Sequence, residues 1–238
     1  MYPTMSNYSK DFYLELAKTS DKSANVLAPL LIKKFQPFSV VDFGCGTGSF
    51  CKAFIANGIT DVLGLEGEWI LEVESMMTEK WLKIQDLKSP IKLKKRFDLA
   101  ICLEVAEHLP PDSSRLLINS LVKASDRIAF SAAIPGQSGT EHINLQFPDF
   151  WGKLFEEHEY FLEWDPRNEI WNTKGLAPWY KQNLLIFHKR TPELSFYIAP
   201  ETRFHPEIFI QFRSNYFKLI FLLKRIFRRI LRLFKVGK

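Results

Sequence analysis

The sequence predicts an α/β fold, a seven-stranded and mostly parallel sheet with helices on both faces. Three observations carry this expectation. Short runs rich in Val, Ile and Leu alternate with amphipathic helical segments along most of the chain. The most apolar run, FDLAICL at residues 97–103, is nearly continuous and bounded by charge, as suits a parallel strand buried on both faces. A run with glycines at alternate positions, FGCGTG, follows the first strand directly.

The elements follow in order. Residues 8–35 read as helix, with Leu14, Ala17, Leu27, Leu30 and Leu31 in apolar stripes and Pro29 in a first turn or at a break. Val40 and Val41 are β-formers and read as a short buried strand. The segment SFCKAFIANG reads as a helix ended by Gly58. Residues 61–65 form a second strand that ends in Glu66, 69–78 a helix, and 81–84 a third strand ending near Asp86. The run at 97–103 is the fourth strand, 111–123 an amphipathic helix, and 127–130 the fifth strand. Residues 131–182 are less regular, with one helix at PDFWGKLFEEH. Residues 160–163 and 184–187 read as two late strands forming an antiparallel edge. In such a sheet ligands bind at the carboxyl ends of the strands.

Charge is distributed unevenly. The 238 residues carry 32 Lys and Arg against 27 Asp and Glu, a net of +5. From Phe209 onward there are nine basic residues and no acid, which leaves 23 basic against 27 acidic residues before it. The body is mildly acidic and only the tail is basic, so an anionic partner is expected for the tail alone. Three domain-level pieces result: a domain over 1–190, a linker over 191–208 with Pro192, Pro200 and Pro206, and a tail over 209–238. The three cysteines, Cys45, Cys51 and Cys102, form no disulfide framework. The N-terminus does not read as a signal peptide, and no apolar run is long enough for a membrane span. A cytoplasmic setting is expected.

Gly44-x-Gly46-x-Gly48 lets backbone approach a ligand closely, and the following helix presents unpaired N–H groups. It departs from the dinucleotide spacing GxGxxG at Ser49 and lacks the GK[ST] ending of a phosphate loop. A tight turn is the bland alternative. Acids at successive strand ends favour a nucleotide-like ligand. Glu66 can accept from both ribose hydroxyls, and Asp86 from an adenine amino group with Leu87 against the ring. Asp42 can orient the loop or reach the amino end of a zwitterion.

The motifs VVDFGCGTG, LGLEG, QDL and FDLAICLEVAEHLP resemble, as an ordered set over about residues 38–188, those of class I S-adenosylmethionine-dependent methyltransferases. That resemblance implies a Rossmann-like fold and S-adenosylmethionine as cofactor. It assigns Asp42, Gly44, Gly46, Gly48, Glu66, Asp86, Leu87 and Glu104 to cofactor binding. GTEHINLQFPDFW and WYKQNLLIF further resemble methyltransferases of polysaccharide biosynthesis, implying a saccharide or lipid-linked glycan acceptor. Two alternatives stand beside it: a small aromatic or quinone-like acceptor, and a catalytically silent membrane-associated binding module.

Methyl transfer to a hydroxyl needs a base or a metal. Glu104-x-x-Glu107-His108 follows the fourth strand, and His142 lies in the loop after the fifth. Carboxylates and imidazoles together can hold a divalent ion. The arrangement resembles the ExxEH plus distal histidine of magnesium-dependent O-methyltransferases. By that likeness Glu104, Glu107, His108 and His142 bind magnesium or another divalent cation, and Glu107, His108 and His142 serve catalysis. Open alternatives are a helix-start role for His108, a cofactor contact or helix cap for Glu104, and a metal-free general base in His142. Trp151, Trp171, Trp179 and Tyr180 line an acceptor pocket or pack in the core. Arg167 and Lys181 are solvent-exposed or meet an acceptor phosphate.

Residues 217–238, taken as a helix, place Lys224, Arg225, Arg228, Arg229, Arg232 and Lys235 on one side and mostly apolar residues on the other. This pattern predicts an interfacial helix at an anionic membrane surface, peripheral on the inner face of the cytoplasmic membrane, with docking on protein as the alternative. Nucleic acid is not expected, since a wide apolar face has no use on phosphate.

Overall fold

The computed structural model describes residues 10–72 and 80–208. The tail helix expected at 209–238, and most of the helix expected at 69–78, lie outside the described residues. A 3-10 turn at Glu68–Glu72 stands at the start of that second segment.

Seven strands form one sheet. They are β1 (Ser39–Phe43), β2 (Asp61–Glu66), β3 (Leu82–Ile84), β4 (Leu99–Leu103), β5 (Arg127–Ser131), β6 (Tyr160–Trp164) and β7 (Leu185–Lys189). Their order is β3-β2-β1-β4-β5-β7-β6. The first five are parallel, and β7 runs antiparallel between β5 and β6. The late strands thus form the antiparallel edge that the sequence predicts. The chain runs outward from β1 through β2 to β3, then crosses back to β4. Strand order reverses at β1 and β4, and in such sheets the binding crevice lies at the carboxyl ends of the strands at that switch point.

The helices are α1 (Lys10–Phe35), α2 (Ser49–Ala56), α3 (Ser114–Ala124), α4 (Pro148–Glu156), α5 (Arg167–Ile170) and α6 (Pro178–Asn183). Alternation along β4 explains how both faces are filled. Leu99, Ile101 and Leu103 pack with Leu27, Ala28 and Leu31 of α1 and Phe54 of α2. Ala100 and Cys102 face the other layer, with Leu117 and Leu121 of α3 and Trp151 and Phe155 of α4. The rings of Phe155 and Phe187 stack at 4.3 Å.

Two local expectations are corrected and one alternative is resolved. Pro29 neither starts nor breaks a helix, because α1 runs through it. Proline removes one hydrogen bond to the carbonyl four residues earlier, that of Asn25, and Asn25 is exposed, so water can satisfy it. Meanwhile Ala24, Leu27, Ala28 and Leu31 are fully buried and hold the helix to the sheet. Of the two readings of Trp151 and Tyr180, both residues take core packing. Arg167 and Lys181 are buried, not solvated.

Arg167 forms a two-point pair with Asp165, Nε to Oδ1 and Nη2 to Oδ2, both at 2.7 Å. Its Nη1 donates to the carbonyl of Glu201 at 2.7 Å. The arginine therefore pins residues 191–208 as a strap across the body. Tyr197 adds a bond from its hydroxyl to Asp149 Oδ1 at 2.6 Å. Lys181 Nζ lies 3.6 Å from Glu207. Among the described residues no helix is long and apolar enough to cross a membrane.

Arg167→Met leaves the Asp165 carboxylate and the Glu201 carbonyl without this donor. A loss of about 3–5 kcal/mol is expected in urea unfolding, as for removal of one partner of a buried pair. A loss below about 1 kcal/mol contradicts the clamp.

Candidate active site

The crevice is built from five strand ends and loops. After β1, Gly44, Gly46 and Gly48 all adopt left-handed backbone, with φ of 80°, 52° and 80°. At Gly44 this is reinforced by crowding, since a Cβ there would lie 2.4 Å from Val105 Cγ2. The N–H groups of Gly44 and Cys45 donate to the Leu65 carbonyl at 2.8 and 3.2 Å, tying the loop to β2.

Glu66 closes the loop from the other side. Its Oε2 accepts from Gly46 N at 2.7 Å, while Oε1 accepts from Gly67 N at 2.8 Å and Trp69 Nε1 at 2.9 Å. Burial raises its carboxyl in spite of these three donors. Asp42 is also buried. Burial first, and the nearby Glu66 second, push it up to about 8. Asp86 is exposed, and its carboxylate accepts from Lys88 N at 3.0 Å and Ser89 Oγ at 2.9 Å, closing its own turn. Leu87 packs into the core.

Glu104 stands at the end of β4 with φ of 56°, a left-handed position that a residue with a side chain adopts only under constraint. Its N–H donates to the Ser131 carbonyl at 2.9 Å. Its carboxylate accepts from Gln137 Nε2 at 3.0 Å and Asn183 Nδ2 at 3.1 Å.

Glu107 is fully buried. Oε1 accepts from Ala133 N at 3.1 Å, whereas Oε2 has no hydrogen-bond donor. Burial first and Glu104 second raise its carboxyl well above the usual range. The Glu107 carbonyl accepts from the N–H groups of Ile143 and Asn144 at 2.9 and 3.0 Å. Asn144 Nδ2 donates to the Ala106 carbonyl and to Ser114 Oγ, at 3.2 and 3.0 Å. These bonds bring the distant loop of His142 onto the turn that carries His108. The two imidazoles meet edge to face at 4.9 Å. The His142 ring lies over Gly139, where a Cβ would come within 2.0 Å of Cε1.

One ligand atom each from Glu107, His108 and His142 lies within 4.8 Å of the others. Burial lowers both histidines, and the His142 ring pushes His108 further, to about 4. Neutral rings keep a lone pair. His142 Nδ1 and Glu107 Oε2 are both buried without a partner. Two orphaned acceptor-capable atoms in one cluster fit a cation. Glu104 is the fourth ligand expected from sequence. It adjoins Glu107, but its oxygens are engaged by Gln137 and Asn183 and it stands outside the three-residue group.

Four carboxylates thus converge. The buried Cys102 thiol on β4 is raised first by burial and then by Asp42, Glu107, Glu66 and Glu104. Among the described residues, none of the four has a Lys or Arg within ion-pair distance. Sequence reasoning names these acids and misses the amides around them, namely Gln137, Asn144, Gln182 and Asn183. The one available signal is the polar pair Gln182–Asn183 placed directly before a buried strand.

The sequence model of the methyltransferase domain family matches residues 6–165. Over 157 residues the chain is 28% identical to a ubiquinone biosynthesis O-methyltransferase of Coxiella burnetii, covering 55% of this chain and 65% of that protein. Another strain's protein of that name is 31% identical over 100 residues, covering 39% and 42%. The chain therefore spans less than two thirds of these relatives. Among solved structures, the pyocyanin biosynthetic protein PhzM aligns with a TM-score of 0.55 at 15% identity, over 78% of this chain and 60% of that one. Magnesium protoporphyrin IX methyltransferase from Synechocystis PCC 6803 aligns with a TM-score of 0.51 at 17% identity, over 79% and 87%. With its seven-stranded, mostly parallel sheet, the chain belongs to the methyltransferase domain family and has the Rossmann-like class I methyltransferase fold.

Proposed function

We propose that this protein transfers a methyl group from S-adenosylmethionine to a hydroxyl of a small aromatic or quinone-like acceptor. The observation that carries the cofactor reading is the convergence of Asp42, Glu66, Glu104 and Glu107 without a basic partner. Such a site favours a cationic ligand, and S-adenosylmethionine carries a sulfonium and an ammonium. Glu66 stands where it can exchange its Gly46 bond for ribose hydroxyls. Asp42, with the glycine loop, faces the amino acid end, and Asp86 the adenine. The names of the Coxiella burnetii relatives support an oxygen acceptor on a quinone precursor. They favour it over the saccharide or lipid-linked glycan expected from sequence.

In the reaction the carbon–sulfur bond breaks as the oxygen–carbon bond forms, the sulfur keeps the electron pair, and the hydroxyl proton goes to a base. The neutral rings of His142 and His108 either take that proton directly or give their lone pairs to a metal. Glu107, His108 and His142 would hold magnesium or another divalent cation, which lowers the pKa of a bound hydroxyl. Histidine is an unusual partner for magnesium, so manganese or zinc suits the donors equally. The basic tail is proposed to bring the enzyme to an anionic membrane surface.

Titration calorimetry of the full-length protein with S-adenosylmethionine is expected to show binding, weakened roughly tenfold to a hundredfold in Glu66→Ala. No heat at millimolar cofactor sinks the enzyme reading. EDTA, Glu107→Ala and His142→Ala should each abolish turnover of a neighbouring-dihydroxy aromatic, and full activity in EDTA removes the metal. For the tail, vesicles with phosphatidylserine should float the wild type and leave behind the triple variant Arg228→Glu, Arg229→Glu, Arg232→Glu. Equal flotation contradicts the membrane role.

A further inference from the structure

The strap and the active site are joined by an unbroken chain of amide hydrogen bonds. At one end the backbone N–H of His205 donates to Gln182 Oε1 at 2.8 Å. Gln182 Nε2 donates onward to Gln137 Oε1 at 3.0 Å and to Asn183 Oδ1 at 3.1 Å. Gln137 and Asn183 then donate to the two oxygens of Glu104, at 3.0 and 3.1 Å. Asn183 also donates to Gln137 Oε1 at 3.0 Å, which cross-links the last two amides. All three amides and His205 are buried.

The polarity of this chain is forced from both ends. A backbone N–H can only donate, and both oxygens of Glu104 accept from the amides. Gln137 and Asn183 must therefore turn their NH2 groups to Glu104 and their carbonyls to Gln182. Gln182 must then present its NH2 to them and its carbonyl to the strap. No amide can flip alone without setting like groups against each other, which is costly in a buried network. Glu104 sits on strained backbone, so its carboxylate direction depends on these donors.

We propose that Gln182 is a positioning residue that couples docking of the strap at His205 to the orientation of Glu104, so that an occupied cofactor site and a docked strap stabilise each other. This rests on the reading of Glu104 as part of the cofactor site. The chain continues from the strap into the basic segment beyond residue 208. By reciprocity, whatever pulls the strap from Gln182 weakens cofactor binding by the same factor that the cofactor tightens the strap.

Hydrogen exchange of the full-length protein, with and without saturating S-adenosylhomocysteine, tests this, with calorimetry on the same sample. In the wild type the ligand should slow exchange of the His205 amide roughly fivefold or more. Gln182→Leu removes both the acceptor for His205 and the donor for Gln137 and Asn183. It should weaken S-adenosylhomocysteine binding roughly tenfold and leave strap exchange indifferent to the ligand. The double variant Gln137→Ala, Asn183→Ala breaks both branches one link further on, without removing a bond to the strap, and should do the same. Unchanged exchange at His205 in a wild type that binds the ligand overturns the coupling alone, whatever the variants do. A wild type that fails to bind overturns the cofactor reading, and the coupling with it.

Discussion

Carboxylates crowded together without a basic partner are the constraint on which the rest of this site depends. Asp42, Glu66, Glu104 and Glu107 come from β1, β2 and the turn after β4, and parallel pairing brings those ends to one edge. Burying them costs free energy, and the raised carboxyls record that cost. Backbone N–H groups and amides offset part of it. Gly46, Gly67 and Trp69 serve Glu66, Ala133 serves Glu107, and Gln137 and Asn183 serve Glu104. What they leave is a set of carboxyls whose ionised form is disfavoured, and a cationic ligand restores it. The glycine loop, the strained Glu104 and the His142 loop make sense as fittings around that charge.

Much of the fold was legible because period and burial are local properties. The run at 97–103 announced a strand buried on both faces, and β4 has every residue buried. The two late strands announced the antiparallel edge. The effect of Pro29 is hidden in the sequence because it is decided by whether Asn25 faces solvent, which depends on how α1 docks. Arg167 and Lys181 were misjudged because charge predicts exposure only when no partner is near. Asp165 is two residues from Arg167 in sequence, yet the Glu201 carbonyl is distant and comes with the strap.

The site was legible as a list of acids and histidines, not as an arrangement. Strand-end position and family resemblance together name Asp42, Glu66, Glu104, Glu107, His108 and His142. Which carboxylate joins the histidines depends on where the amides turn. Gln137 and Asn183 claim Glu104, and Glu107 alone is left with a bare oxygen beside the rings. Amide partners carry no periodicity, so sequence spacing gives no view of them. In residues 191–208 the sequence shows only prolines, while the bonds made through Tyr197, Arg167 and Gln182 are long-range.

The most direct test of the charge account is a proton inventory. With Asp42 pushed up to about 8 by burial and by Glu66, most of it is protonated at neutral pH in the free protein. A cation bound beside it favours the carboxylate and lowers that value, so binding must release a proton, and affinity must rise with pH until Asp42 is ionised. Calorimetric titration with S-adenosylmethionine at neutral pH, in two buffers of different ionisation enthalpy, measures this. Net proton release, reduced in Asp42→Asn, is the predicted result. Binding with no proton exchange, or with proton uptake, would contradict the account.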